Sequence, residues 1–280
     1  MEAIDLLLNF AGLLLWLSWR ATSLDPLVKT SATSLVGALR RAEQPRFRRW
    51  HSLVGLAGLL IFRAWLYWQI GPAVNWVPHL QLGAISIFFR SDVLVRVLLF
   101  SFLSFVLTLA IFYLWLLFLS LVNGRRAESE PMQRIVQLHL GLVDGWPWVV
   151  RLLLPLLVAG LAWLGLDPLL TQLNLIQPAL STAHRVEAAA VIGLAAYLSW
   201  KYLIGLLLFL WLLSTYIYLG NNSFWSFINL TGRNALLPLR WAPFRVGKFD
   251  MSPIIGIFLV FFTAELAERG LTALFTRLPL

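Results

Sequence analysis

Four ionisable side chains lie deep inside apolar runs of this chain: Arg63, Lys201, Glu265 and Glu268. Charge in hydrocarbon is costly, so such residues pair with each other, line a cavity or face another subunit. Structural pairing is the first expectation, and a proton or ion path is the sharper alternative. Arg63 stands eleven residues into a run that starts at Ser52, and Glu265 twelve into one that starts at Pro253. At about 1.5 Å per residue the two reach nearly the same depth, about 17–18 Å along their spans. Arg63 is therefore expected to pair with Glu265, or with Glu268 one turn on. Lys201 is the competing partner for Glu268. Arg96 and Arg151 lie nearer the ends of their runs, where a long side chain reaches the interface.

The histidines offer a second kind of chemistry. His51, His79, His139 and His184 all fall near the ends of apolar runs, and none lies in the middle of one. Axial ligation of a haem or chlorophyll-type pigment would need a buried, facing pair. The candidates for it are His51 and His139; an ordinary interfacial histidine is the default. No Walker A, GxSxG or HExxH pattern occurs, no GxGxxG follows a strand, and carboxylates do not cluster. An enzyme is not expected. The chain holds no cysteine, which removes disulfides, thiolate metal sites and cysteine nucleophiles from it.

The elements that carry these residues are membrane spans. Of 280 residues, 60% are hydrophobic and 12% charged, against about 25% charged in soluble domains. Spans of about 20 apolar residues are expected at Ala3–Trp19, Ser52–Ile70, Val93–Val122, Trp148–Leu166, Ala188–Leu219 and Pro253–Phe275. The first lacks a basic leader and a small-residue cleavage site, and is read as a retained span. The net charge of +9 is concentrated in segments 20–50, 123–147 and 220–252. Basic loops stay in the cytoplasm, so both termini are expected outside. The same charge implies contact with anionic lipid headgroups; nucleic acid is not an expected partner, because no nucleic-acid motif accompanies it.

The inner segments are more than linkers. SATSLVGALRRA, PMQRIVQLHLGL and FINLTGRNALLPLR space Leu, Ile and Val at three- and four-residue intervals with basic residues between, a pattern suited to helices lying in the headgroup plane. Trp65, Trp68, Trp76 and Trp163 are placed toward the outer interface. Of the outer connections, AISIFF within 72–91 suits a strand or a half-embedded segment, and 167–187 a short surface helix.

The inner segments also repeat. At an offset of 200, Leu39, Arg40, Ala42 and Ser52 meet Leu239, Arg240, Ala242 and Ser252. A middle copy keeps Arg134, Gly141 and Pro147 in the register of Arg240, Gly247 and Pro253. The expected fold is all-α: one transmembrane domain, 1–280, of six transmembrane helices. These form three helix-loop-helix repeats, about 1–71, 93–166 and 188–280, with amphipathic inner interfacial helices.

The last copy carries a recognisable motif. Pro238, Arg240, Pro243, Gly247, Asp250, Ser252 and Pro253 stand in the order proline, arginine, proline, glycine, Asp-x-Ser-Pro, at the opening of a span. Here the chain resembles the YggT family of bacterial integral membrane proteins. Pro243 sits one place early, Lys248 replaces the usual second glycine, and three repeats replace the usual two. The first copy has Trp50 and His51 in place of Asp250 and Met251. The resemblance implies a protein of the bacterial inner membrane. Relatives are associated with cell division and nucleoid organisation, with osmotic tolerance, and in plastids with maturation of a b-type cytochrome. Physically, Asp250 and Ser252 cap the free amides of the last span, and Pro253 fits its first turn.

The expected function is a non-enzymatic scaffold, assembly factor or accessory subunit that packs against other membrane proteins. An ion or solute transport protein, and a haem- or pigment-handling protein, are the alternatives.

Overall fold

The computed structural model describes residues 2–28, 49–83, 85–124, 131–179, 181–217, 220, 222–237, 245–246 and 249–277. Among them run nine α-helices: α1 (Glu2–Val28), α2 (Arg49–Ile70), α3 (Leu94–Asn123), α4 (Pro131–Leu140), α5 (Trp148–Gln172), α6 (Thr182–Ala195), α7 (Trp200–Tyr216), α8 (Ser223–Ala235) and α9 (Ser252–Arg277). Two short hairpins interrupt them, β1 (His79–Leu82) with β2 (Ile85–Phe88), and β3 (Arg245–Val246) with β4 (Phe249–Asp250).

Five stretches are long and apolar enough to cross a membrane: Glu2–Arg20, Trp50–Ile70, Leu94–Asn123, Trp148–Gln172 and Thr182–Tyr216. In lipid the backbone must satisfy its own hydrogen bonds, and a helix does so within one segment. The architecture is that of an all-α membrane protein. α3 runs 30 residues without Gly or Pro and stops where Gly124 takes φ +56, the left-handed turn that ends many helices. The Ser181 hydroxyl accepts from the His184 amide at 3.0 Å to cap α6, and the Asn222 side chain accepts from the Trp225 amide at 3.1 Å to cap α8. α9 is 26 residues long but carries Glu265, Glu268 and Arg269 in its middle, which sets it apart from the five.

The chain divides into two compact units. The first comprises residues 1–80 and 88–110, the second 81–87 and 111–280. In the first, α1 and α2 pack antiparallel: a Cβ at Gly55 would touch Leu15, and one at Gly12 would meet Leu56 at 3.4 Å and Phe105 of α3 at 2.9 Å. Leu56, Ala64, Tyr67, Val97, Phe100 and Leu103 fill its core. In the second, α5 and α6 form a tight antiparallel pair, in which a Cβ at Gly193 would lie 2.6 Å from the Leu156 carbonyl oxygen. α7 packs against α8 and α9 around Phe118, Leu203, Leu207, Leu208, Trp211, Ile228 and Leu236.

The fifth stretch is broken. A 3-10 turn, Ala196–Ser199, separates α6 from α7. Two indoles tie the break to α3: Trp115 Nε1 of α3 donates to the Ser199 oxygen at 3.0 Å, and Trp200 Nε1 donates to the Leu114 oxygen of α3 at 3.1 Å.

Several connections differ from the expectation. The segment 167–187 forms no separate surface helix. α5 continues through Pro168 to Gln172, and α6 begins at Thr182. Trp163 is 5% exposed and packs in the core. AISIFF supplies β2 of a hairpin. Its turn residue Gly83 takes φ +61 and lies so close to Ala195 that a Cβ would come within 2.3 Å of the alanine's own. α4 and α8 are the amphipathic helices expected at PMQRIVQLHLGL and FINLTGRNALLPLR. SATSLVGALRRA lies outside the described residues.

Candidate functional site

The first unit buries a polar cluster where three helices meet. Arg63 of α2 is fully buried. It donates to Asn9 Oδ1 at 2.7 Å and Ser104 Oγ at 2.8 Å, and it forms an ion pair with Asp5 of α1. Tyr67 donates its hydroxyl to Asp5 at 2.9 Å. The guanidinium carbon stands 5.6 Å from the Tyr67 ring centroid and 5.5 Å from that of Phe100, within cation–π range. One carboxylate, two neutral oxygens and two aromatic faces thus surround the arginine.

The partner of Arg63 corrects the expected pairing with Glu265 or Glu268. Depth arithmetic admits any acid at the right level, and Asp5 stands near the start of the first span, away from the middle of any apolar run. Because α1 and α2 run antiparallel, the fourth residue of α1 comes opposite a residue one to two turns from the end of α2. That register was the missed signal.

The charges of α9 are engaged within the second unit. Lys201 Nζ donates to Glu268 at 2.8 Å, with side chains 14% and 32% exposed. Lys201 is the second residue after the 3-10 break, and it helps line a cleft of about 620 Å³ with Tyr197, Ile204, Ala264, Ala267 and Leu271. Arg269 Nε donates to Glu265 at 2.9 Å, one turn apart on the same helix, and these side chains are 75% and 54% exposed. This i,i+4 pair matches the two charges within one helix while leaving both side chains exposed.

The exposed pair belongs to a longer stripe. Phe258, Phe262, Glu265, Arg269, Thr272 and Thr276 are all exposed and follow one another at intervals of 4, 3, 4, 3 and 4 residues. That is the 3.5-residue period of a helix–helix seam. Phe258 and Phe262 stack at 5.9 Å with 11° between their planes. The opposite side of α9 buries Pro253 and Gly256; a Cβ at Gly256 would meet Leu236 at 2.7 Å. The seam is legible in the sequence once its spacing is counted.

Other buried polar groups knit elements together. Asn123 Nδ2 at the end of α3 donates to Thr231 Oγ1 of α8 at 2.9 Å and to Gln133 Oε1 of α4 at 3.3 Å, and Asn234 donates back to Asn123 at 3.2 Å. Arg151 donates to Ser120 Oγ at 2.6 Å and lies 3.5 Å from Asp144. Its pairing accounts for a residue expected to reach the interface. Arg185 is 3.0 Å from buried Asp167. Outside the spans, Arg90 donates two bonds to Asp92, at 2.7 and 3.2 Å. They hold the exposed Asp92 carboxyl below its ordinary range.

His51 stands exposed at the start of α2. His139 of α4 has its Nδ1 2.9 Å from the Ile135 carbonyl and its ring against Phe112. No group of three or more His, Asp or Glu that could hold a metal ion occurs among the described residues. Of the interfacial motif, Pro238, Arg240, Pro243 and Gly247 lie outside the described residues. Asp250 lies in β4, whose register pairs it with Arg245 and Phe249 with Val246. Ser252 opens α9 with Pro253 in its first turn, and the Met251 carbonyl accepts from the Ile255 amide at 3.0 Å. No protein-family profile, no curated protein and no solved structure matches the chain.

Proposed function

We propose that this protein is a non-enzymatic integral-membrane scaffold, assembly factor or accessory subunit, and that it docks a membrane protein on the exposed face of α9. The observation that carries the reading is the seam Phe258–Thr276, in which an ion pair more than half exposed sits between stacked phenylalanines and two threonines. In this reading α9 is the sixth span and runs outward from Ser252. Glu265 then lies about 20 Å and Arg269 about 26 Å from the inner boundary of a hydrocarbon layer about 30 Å thick. Lipid tails offer such a pair nothing, whereas a partner helix offers hydrogen bonds and packing.

The motif ending in Asp250, Ser252 and Pro253, with its resemblance to the YggT family, supports a bacterial inner membrane setting and a three-repeat organisation. The basic loops support cytoplasmic placement of 20–50, 123–147 and 220–252, with both termini outside. A photo-crosslinking residue at Phe262, irradiated in native membranes, is expected to give a discrete protein adduct; adducts with lipid alone would sink the docking reading. Single cysteines test orientation. One at Asn234 is expected to label only from the cytoplasm, and ones at Asn75 and Thr182 only from outside.

A second reading, ion or solute transport, draws on the break at Ala196–Ser199 with Lys201 just beyond it, because discontinuous spans with charge beside them form transport sites. Proteoliposome flux abolished by Lys201→Ala would support it; flux indistinguishable from empty vesicles would remove it.

A further inference from the structure

We infer that the partner seated on the α9 seam is a second copy of this chain, in a parallel two-fold pair. The inference rests on the docking reading and names its occupant. The argument is self-complementarity. A two-fold interface presents the same patch from both subunits, so each group must find its complement on that patch. Glu265 and Arg269 lie on one seam, four residues or about 6 Å of rise apart, well within the reach of an arginine side chain. In two α9 helices side by side, each Arg269 can turn from its own Glu265 to that of its neighbour, so both acids and both bases are satisfied reciprocally.

The rest of the seam is equally self-matching. Thr272 and Thr276 meet their own images, and a hydroxyl both donates and accepts. The Phe258–Phe262 stack meets an identical stack. The alternation of 4 and 3 residues keeps all six positions facing one neighbour along five turns, as in a two-stranded coil. Each charge already has a partner on its own helix, so pairing across the two-fold exchanges partners without stranding a charge.

The absence of cysteine from the chain makes the test clean. Single cysteines at Thr272, Thr276 and, off the seam on the same helix, Thr263 are introduced into the full chain and oxidised in native membranes. Thr272→Cys and Thr276→Cys are expected to give a band at twice the monomer mass, about tenfold more than Thr263→Cys, corresponding to a preference of about 1.4 kcal/mol. A second measurement separates pairing across subunits from pairing along one helix. Glu265→Arg and Arg269→Glu each destroy the pair within a helix and set like charges across a self-dimer, so differently tagged copies are expected to associate only when the two variants are mixed. Equal crosslinking at all three sites, no product of twice the monomer mass, or failure of the mixed variants to associate would overturn the self-pairing. Adducts from Thr276→Cys with a protein of another mass would overturn it and leave the docking reading standing. Reaction with lipid-borne reagents alone would end both.

Discussion

Removing the counter-charge of Arg63 is the most informative perturbation of the first unit. Asp5→Ala leaves a fully buried guanidinium with Asn9 Oδ1 and Ser104 Oγ as its acceptors and the rings of Tyr67 and Phe100 beside it. Stranding one member of a buried pair costs about 3–5 kcal/mol. The Tyr67 hydroxyl and Ser104 also lose their bonds to Asp5, at about 0.6 kcal/mol each inside a membrane protein. A loss of about 4–6 kcal/mol is expected for Asp5→Ala, and a smaller one for Asp5→Asn, which keeps an acceptor. The double variant Asp5→Asn with Arg63→Met removes both charges at similar volume and is expected to lose no more than about 2 kcal/mol, well below the sum of its singles. Unfolding by sodium dodecyl sulfate from mild detergent, followed by tryptophan fluorescence, suits the measurement. Trp76 meets Tyr67 edge-on, with ring centroids 4.7 Å apart, and reports on this unit. A double variant that loses the sum of its singles, with coupling below about 0.5 kcal/mol, would refute the pair as the organising contact of α1 and α2.

Gly193→Ala is expected to destabilise by about 1–3 kcal/mol, because its Cβ would lie 2.6 Å from backbone of α5. Gly165→Ala meets nothing within 4 Å and is expected to stabilise by up to about 1 kcal/mol through helix propensity; thermal unfolding compares the two. Lys201→Glu and Glu268→Lys are each expected to lower stability and the exchanged double variant to recover most of it, as purified yield and midpoint will show. Arg90→Gln is expected to raise the Asp92 carboxyl pKa toward its ordinary value in a pH titration followed by NMR. The sign follows from the lowered folded pKa: the contact contributes above the ordinary carboxylate pKa and is lost as pH falls through the folded one.

Much of the fold is legible in composition and periodicity. A chain 60% hydrophobic and 12% charged cannot cover a soluble core, and runs of about 20 apolar residues must be helical because lipid satisfies no backbone group. The amphipathic spacing of PMQRIVQLHLGL and FINLTGRNALLPLR likewise specifies α4 and α8 before any tertiary contact exists. The alternating spacing of Phe258, Phe262, Glu265, Arg269, Thr272 and Thr276 is also written in the sequence, whereas their exposure is set by the fold.

Partnership is different, because it depends on which faces and levels of separate helices coincide. Equal depth matched Arg63 to Glu265 on paper, yet the antiparallel register of α1 and α2 delivered Asp5. Lys201, the competing partner named for Glu268, met it because α7 and α9 run antiparallel, bringing residues fifteen before Tyr216 and sixteen after Ser252 to one level. The 3-10 break at Ala196–Ser199 has no Gly or Pro to announce it; it is tied to α3 by Trp115, whose indole donates to the Ser199 carbonyl, and by Trp200, whose indole donates to the Leu114 carbonyl of α3. Hydrophobic periodicity fixes which residues share a helix face. Which face then meets which, and at what offset, is fixed by long-range packing, and there this protein's charges found their partners.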